Sequence, residues 1–386
     1  MKDLQEELRK CVSLKRYGKL YQILEKKYAE KGLPLRGTFE LTPHCTLDCK
    51  MCYIHSSDGS YPESVLTGDE WIHIMDQAID AGMLYATLTG GECFLHPDFK
   101  KIYTHLKQRG VIVNLLSNGT LLDEAMCDWL RTMPPHFIQI SVYGSSPEVY
   151  EQVTGHAEAF YRVDHALDLM YRAGIPVDIS LTISRYNLLD FEQLYCYVKN
   201  KPHALLNMDC DLFPPLENTR RRLESFALSV KEQEELYIKY YSWEGHPCHP
   251  ICEADIQLAV QKGEELRKQT SDRISCMAGI CLFSVNYSGR MQPCSQFCLT
   301  SEQVMDAGFL EAWNQVHQAA LLYRRSAECQ TCEFFGQCRF CPARYSLHSG
   351  GSGGGPGAYA CNKRRSMLIP ILTQKAYGGN KNEKRI

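Results

Sequence analysis

The chain has 386 residues, 44% hydrophobic and 23% charged, with a formal net charge of −3, the composition of a globular chain long enough for two or three domains. No apolar run reaches the ~18 residues of a membrane-spanning helix, the charged start MKDLQEELRK lacks the apolar stretch of a secretion signal, and no concentrated basic face invites nucleic acid. A cytoplasmic location is therefore expected, and there nineteen cysteines point to metal or redox chemistry rather than to disulfides.

In chain order, residues 3–31 read as one amphipathic helix, with Leu4, Leu8, Tyr21, Leu24 and Tyr28 among its apolar positions. TFELT (38–42) reads as the first strand. Thr67 and Glu70 form a capping box ahead of Trp71, Ile72, Met75 and Ile79, and Gly82 is the stop. ATLT (86–89) is the second strand, and Pro97 opens a helix through Phe99, Ile102, Tyr103 and Leu106 that Gly110 closes. VIVNLL (111–116) and FIQISV (137–142) follow as strands. Phe160, Val163, Leu167 and Met170 then mark a helix ending at Gly174. VDISLTI (177–183) and LLNMDCDL (205–212) complete six strands.

Strands alternating with helices predict βαβ units and a parallel sheet, too few for a closed eight-stranded barrel but enough for an open or partial one. Residues 216–245 are charged and predicted helical, and 246–275 read as a connecting segment. From Cys276 to Cys361 the composition shifts to cysteine, glycine and aromatics with little regular periodicity. SGGSGGGPG (349–357) reads as a flexible loop, and the last dozen residues as a frayed tail.

The segment His44-Cys45-Thr46-Leu47-Asp48-Cys49-Lys50-Met51-Cys52-Tyr53 sets three cysteines in a CxxxCxxC loop directly after the first strand. Three thiolates on so tight a loop suit three corners of a cubane 4Fe–4S cluster and leave one iron with an open position, as a catalytic metal needs. A zinc loop is the competing reading, but structural zinc takes four protein ligands.

On these residues the chain resembles the radical S-adenosylmethionine (SAM) superfamily. The resemblance implies an α/β fold on a partial (β/α)6 TIM-type barrel, with Cys45, Cys49 and Cys52 as ligands of a SAM-binding cluster. Tyr53 is implied to meet the adenine through its backbone. Gly90-Gly91-Glu92, after the second strand, matches the family's GGE segment, whose glycines admit the methionyl amine. Glu92 is expected to meet that amine, so that Glu92→Ala weakens cofactor binding more than it disturbs the fold. Ser117-Asn118-Gly119-Thr120 follows the third strand, and Ser141 ends the fourth, where related proteins use a serine against the ribose. All of these fall where such barrels place their active sites, at the C-terminal ends of the strands.

A second group, Cys276, Cys281, Cys294, Cys329, Cys332, Cys338, Cys341 and Cys361, supplies eight more cysteines. Two CxxC pairs alone suit zinc, whereas eight ligands suit two fully ligated cubanes. Gly289 to Cys294 forms a GxxxxC step, and the block resembles the SPASM extension of many radical SAM enzymes. That resemblance implies one auxiliary cluster on Cys276, Cys281, Cys294 and Cys341, and another on Cys329, Cys332, Cys338 and Cys361. Cys338 and Cys341 are spaced CxxC where the family has CxxxC, which leaves the partition open. The remaining cysteines, Cys11, Cys127, Cys196 and Cys210, read as small core residues. Cys93 is expected near the pocket, and His246, Cys248, His249 and Cys252 read as a loop or turn rather than a zinc site.

The organisation expected is an N-terminal helix (1–35), the partial barrel (36–215), a helical linker (216–275), a small cysteine-rich auxiliary-cluster domain with little regular structure (276–370) and a tail (371–386). The resemblance implies reductive cleavage of SAM, fed by a flavodoxin or ferredoxin, and hydrogen abstraction from a substrate by the 5′-deoxyadenosyl radical. Three 4Fe–4S clusters, one SAM-binding and two auxiliary, suit a net oxidation. Maturation of a ribosomally made peptide by a thioether or other crosslink is the favoured outcome. Formylglycine formation is demoted, because Ser295 stands where the sulfatase-maturase branch carries an aspartate base. Chemistry on a small molecule or cofactor precursor is the remaining enzymatic alternative. Only about 35 residues precede the barrel, so a peptide leader is expected to dock elsewhere or on a partner protein. No catalytic base is identifiable.

Overall fold

The computed structural model describes residues 14–54, 65–210, 212–213, 225–244, 276–325 and 327–332, with isolated positions elsewhere. Cys11, His246, Cys248, His249, Cys252, Cys338, Cys361, the glycine-rich stretch 349–357 and the tail lie outside the described residues. The chain divides into two units, residues 1–226 with 277–321, and residues 227–276 with 322–386.

In the first unit, helix α1 (Leu14–Lys31) leads into β1 (Arg36–Glu40), and then α2 (Gly68–Asp80), β2 (Tyr85–Thr89), α3 (Phe99–Gln108) and β3 (Ile112–Ser117) alternate. The series continues through α4 (Glu124–Thr132), β4 (Phe137–Val142), α5 (Pro147–Thr154), α6 (Ala159–Arg172), β5 (Val177–Thr182), α7 (Phe191–Lys199) and β6 (Leu205–Asp209). All six predicted strands form, paired in parallel in the order β6-β5-β4-β3-β2-β1. The predicted capping box starts α2, with the Thr67 side chain on the Glu70 N–H and Glu70 Oε2 2.7 Å from the Thr67 N–H. This is the α/β sheet of a partial barrel.

Beyond β1 the sheet continues into the cysteine-rich stretch. Strand β7 (Leu282–Val285) pairs in parallel with β1, and β8 (Arg290–Gln292) and β9 (Glu302–Gln303) follow antiparallel. The short α9 (Val304–Ala307) precedes α10 (Phe309–Leu322), a fourteen-residue helix. Residues 277–321 are thus part of the barrel unit and carry more regular structure than their composition predicts. Aromatic packing holds them there: Phe283 meets Phe39 edge-on at 5.8 Å, Phe309 at 5.1 Å and Trp313 at 6.0 Å, and Phe39 meets Trp71 at 6.0 Å. Such edge-to-face pairs contribute about 0.5–1.5 kcal/mol each beyond burial.

The second unit contains α8 (Val230–Trp243), started by a Ser229–Glu232 capping box, and the short α11 (Ala327–Thr331). Its buried Arg325 places the guanidinium 4.8 Å from the Phe335 ring centre and reaches the Phe335 carbonyl at 3.3 Å.

Candidate active site

A cavity of about 390 Å³ opens at the C-terminal ends of the six parallel strands. The loop after β1 forms one wall, with Cys45, Cys49, Cys52 and Tyr53 on the lining. Backbone bonds fix this loop: the Asp48 N–H donates to the Thr154 carbonyl at 2.9 Å, Lys50 to Val153 at 3.1 Å and Cys52 to Cys49 at 3.0 Å. The Leu47 N–H points at the Cys45 sulfur at 3.4 Å. The Tyr143 hydroxyl lies beside the Cys49 sulfur. Burial, with the charge of neighbouring acids and thiols, pushes the Cys45 thiol up to about 11 and Cys49 well above its ordinary value. As bare thiols these groups therefore stay protonated. A cationic iron cluster reverses that balance, so the donor set fits such a group.

Gly90 and Gly91 are required by the loop itself. The Gly91 N–H donates to the Thr42 carbonyl and the Glu92 N–H to the His44 carbonyl, both at 2.8 Å. A Cβ on Gly91 would lie 2.4 Å from the carbonyl oxygens of Pro43 and His44, and one on Gly90, whose φ is +132°, equally close to that of Thr42. Both glycines also line the cavity.

Glu92 departs from its expected position. It is fully buried, absent from the cavity lining, and wrapped by donors: Ser117 Oγ at 3.0 Å to both carboxyl oxygens, the Asn118 N–H at 2.8 Å and the Phe94 N–H at 3.3 Å. Burial nevertheless pushes its carboxyl up to about 7. Glu92 thus organises the turn after β3 rather than presenting a carboxylate to the cavity. Cys93 is sealed too, with its sulfur 3.5 Å from the Leu116 carbonyl.

Ser117, Asn118 and Ser141 line the cavity. So do Gln139, Tyr143, Thr182, Asp209 and Gln296, which the sequence reading did not single out. The alternation of FIQISV carried a signal for the first of these, because Gln139 and Ser141 share one face of β4 and the apolar Ile138, Ile140 and Val142 are buried on the other.

The cysteines of the second group are less uniform. Cys294, Cys332 and Cys341 are half-buried, Cys329 is buried and Cys276 exposed. Cys281 sits in an apolar cluster with Leu35 and Tyr85 under Tyr21 and Leu24 of α1, its sulfur 3.9 Å from the Glu25 carbonyl. Burial pushes its thiol up to about 12. In this structure Cys281 is packed as a core cysteine.

Residues 39–197 match the profile of the radical SAM superfamily. The chain carries a radical SAM domain. The chain is 26% identical over 335 residues to an AdoMet-dependent heme synthase of Methanosarcina barkeri, covering 82% of this chain and 93% of that protein. It is 30% identical over 168 residues to the antilisterial bacteriocin subtilosin biosynthesis protein AlbA of Bacillus subtilis, covering 43% of this chain and 37% of AlbA. Its fold matches anSMEcpe solved with bound AdoMet at a TM-score of 0.69 and 17% identity, over 90% of this chain and all of that one. The same protein, solved with AdoMet and the Kp18Cys peptide, matches at 0.67. A radical SAM domain implies SAM and a 4Fe–4S cluster as cofactors. Among the described residues no helix is long and apolar enough to cross a membrane.

Proposed function

We propose that Cys45, Cys49 and Cys52 hold the SAM-binding cluster and that this chain oxidatively modifies a ribosomally made peptide. One observation carries the assignment: three thiols on a single loop line a cavity at the strand ends, facing Ser117, Asn118 and Ser141. Its volume falls within the range of small-molecule sites. Bound there, a reduced cluster and SAM would supply the radical chemistry needed to remove hydrogen from an unactivated carbon. The chain's own residues orient and enclose. Gly90 and Gly91 bring backbone to the cavity edge, Tyr53 and Tyr143 wall it, and Gln139, Thr182 and Asp209 line the part formed by β4–β6.

The peptide reading draws support from AlbA, which by name acts in bacteriocin biosynthesis, and from the anSMEcpe complex with a peptide. Auxiliary clusters belong to the same proposal, on Cys276, Cys294 and Cys341 and on Cys329, Cys332, Cys338 and Cys361. Full cysteine ligation of the first would require Cys281 to leave the core. A flavodoxin or ferredoxin is the proposed reductant, and a leader-binding partner protein fits the same scheme. A second reading, chemistry on a cofactor precursor, is favoured by the heme synthase match, which extends over most of both chains. Anaerobic co-expression with candidate precursor peptides, read by mass spectrometry, tests the first reading. A mass loss of about two hydrogens per crosslink supports it. Unmodified peptides, with turnover of a tetrapyrrole precursor instead, support the second.

A further inference from the structure

Glu40 is the last residue of β1, only 4% exposed, and its side chain accepts a hydrogen bond from the Tyr53 hydroxyl at 2.9 Å. Ser295 lies beside the same hydroxyl. Tyr53 directly follows Cys52, Ser295 directly follows Cys294, and both Tyr53 and Gln296 line the cavity. A carboxyl buried this deeply is costly unless its polar contacts repay it, and burial has pushed Glu40 up to about 7. An apolar residue at the end of β1 would avoid that cost while packing equally well, so the fold alone gives no reason for an acid here. The contact it makes is with the ring beside the three-cysteine loop.

We propose that Glu40 is a positioning residue. It fixes the Tyr53 hydroxyl and so holds the stem of the three-cysteine loop against Ser295 in the segment after Cys294. The contact between Tyr53 and Ser295 then brings together two segments that the proposed function gives to different clusters. The inference rests on that reading only for the identity of the two ligands. The tie itself is a property of the chain. Its consequence is a cavity wall held rigid from two sides, so that the cofactor meets a Tyr53 that needs no reordering on binding.

The test uses the full chain, anaerobically reconstituted, with Glu40→Leu, Glu40→Gln, Tyr53→Phe and Ser295→Ala. Amide hydrogen exchange is followed over residues 49–54 and 294–297, with α6 as the internal control, and SAM is titrated in parallel. Glu40→Leu is expected to speed exchange in both segments, and to weaken SAM binding, roughly tenfold, with α6 unchanged. Glu40→Gln keeps an acceptor and is expected to restore both to within about threefold. Ser295→Ala is expected to loosen 294–297 more than 49–54. If Glu40→Leu fails to fold, Tyr53→Phe carries the same expectation, because it removes only the hydroxyl. Unchanged exchange at 294–297 in Tyr53→Phe would overturn the tie, and a Glu40→Gln as impaired as Glu40→Leu would overturn positioning through the hydrogen bond. Wild-type protein that binds no SAM while the exchange pattern holds would instead overturn the proposed function and leave the tie standing.

Discussion

The side-chain nitrogen of Asn118 stands 3.3 Å from the sulfur of Cys45, while the Asn118 backbone N–H donates to buried Glu92 at 2.8 Å. One residue at the end of β3 therefore links the GGE turn to the cysteine loop. The Asn118 amide also reaches Thr46 Oγ1 at 3.0 Å, and Thr46 meets Thr120 at 2.5 Å. The loop geometry is thus set by polar contacts from a neighbouring strand end as well as by its own spacing.

Glu92→Ala removes the acceptor of the Ser117 hydroxyl and the Asn118 N–H inside the core. Unpaired buried donors are costly, so a loss of about 2–4 kcal/mol is expected, with a fallen melting temperature. Glu92→Gln should recover part of it. Stability within about 0.5 kcal/mol of wild type, measured by denaturant titration, would show that the turn does not depend on this carboxylate.

Gly91→Ala places a Cβ 2.4 Å from two backbone oxygens at the root of the cysteine loop. Backbone cannot yield there without moving residues 43–44. The variant is expected to lose about one cubane, or four irons per chain, on reconstitution. Wild-type iron content would show that the loop tolerates the displacement.

Cys281→Ala should leave iron content unchanged and cost about 1–2 kcal/mol of stability, as truncation of a small core side chain does. The contrary result, about four irons lost with little destabilisation, would return Cys281 to the ligand set.

Much of the barrel was legible because its periodicity is local. The six strands, the Thr67–Glu70 cap and the glycine stops all depend on neighbours within a few residues. What escaped depends on distant ones. β7 joins β1 through Phe283, Phe39 and Trp313, brought together across some 240 residues of chain. The period in α10 was present in Phe309, Ala312, Trp313, Val316 and Ala320, all buried, but the surrounding cysteine spacing drew attention elsewhere. The three-cysteine loop was readable at once. The role of Glu92 was not, because the sequence gives its neighbours along the chain, while Ser117 and Asn118 arrive from the next strand.

Asp178 on β5 is 5% exposed, its Oδ1 has no hydrogen-bond partner among the described residues, and burial raises its carboxyl from 3.8 to about 6. A folded-state value above the unfolded one means that its contribution is present below about pH 4 and lost as the pH rises through about 6. Relative to Asp178→Asn, wild type should therefore lose about 2–3 kcal/mol between those limits and nothing further above them. Denaturant titrations of both proteins across this range check it. A constant difference would mean that the carboxyl is solvated.

The proposed function requires that SAM be cleaved at a cluster on Cys45, Cys49 and Cys52. The most direct measurement is 5′-deoxyadenosine formation from SAM and dithionite by reconstituted wild type and by the Cys45→Ala, Cys49→Ala, Cys52→Ala triple variant, with iron counted in each. Wild type is expected to form it, and the variant to form none while losing only about four irons. Continued 5′-deoxyadenosine formation by the variant would contradict the account and move the chemistry to another part of the chain.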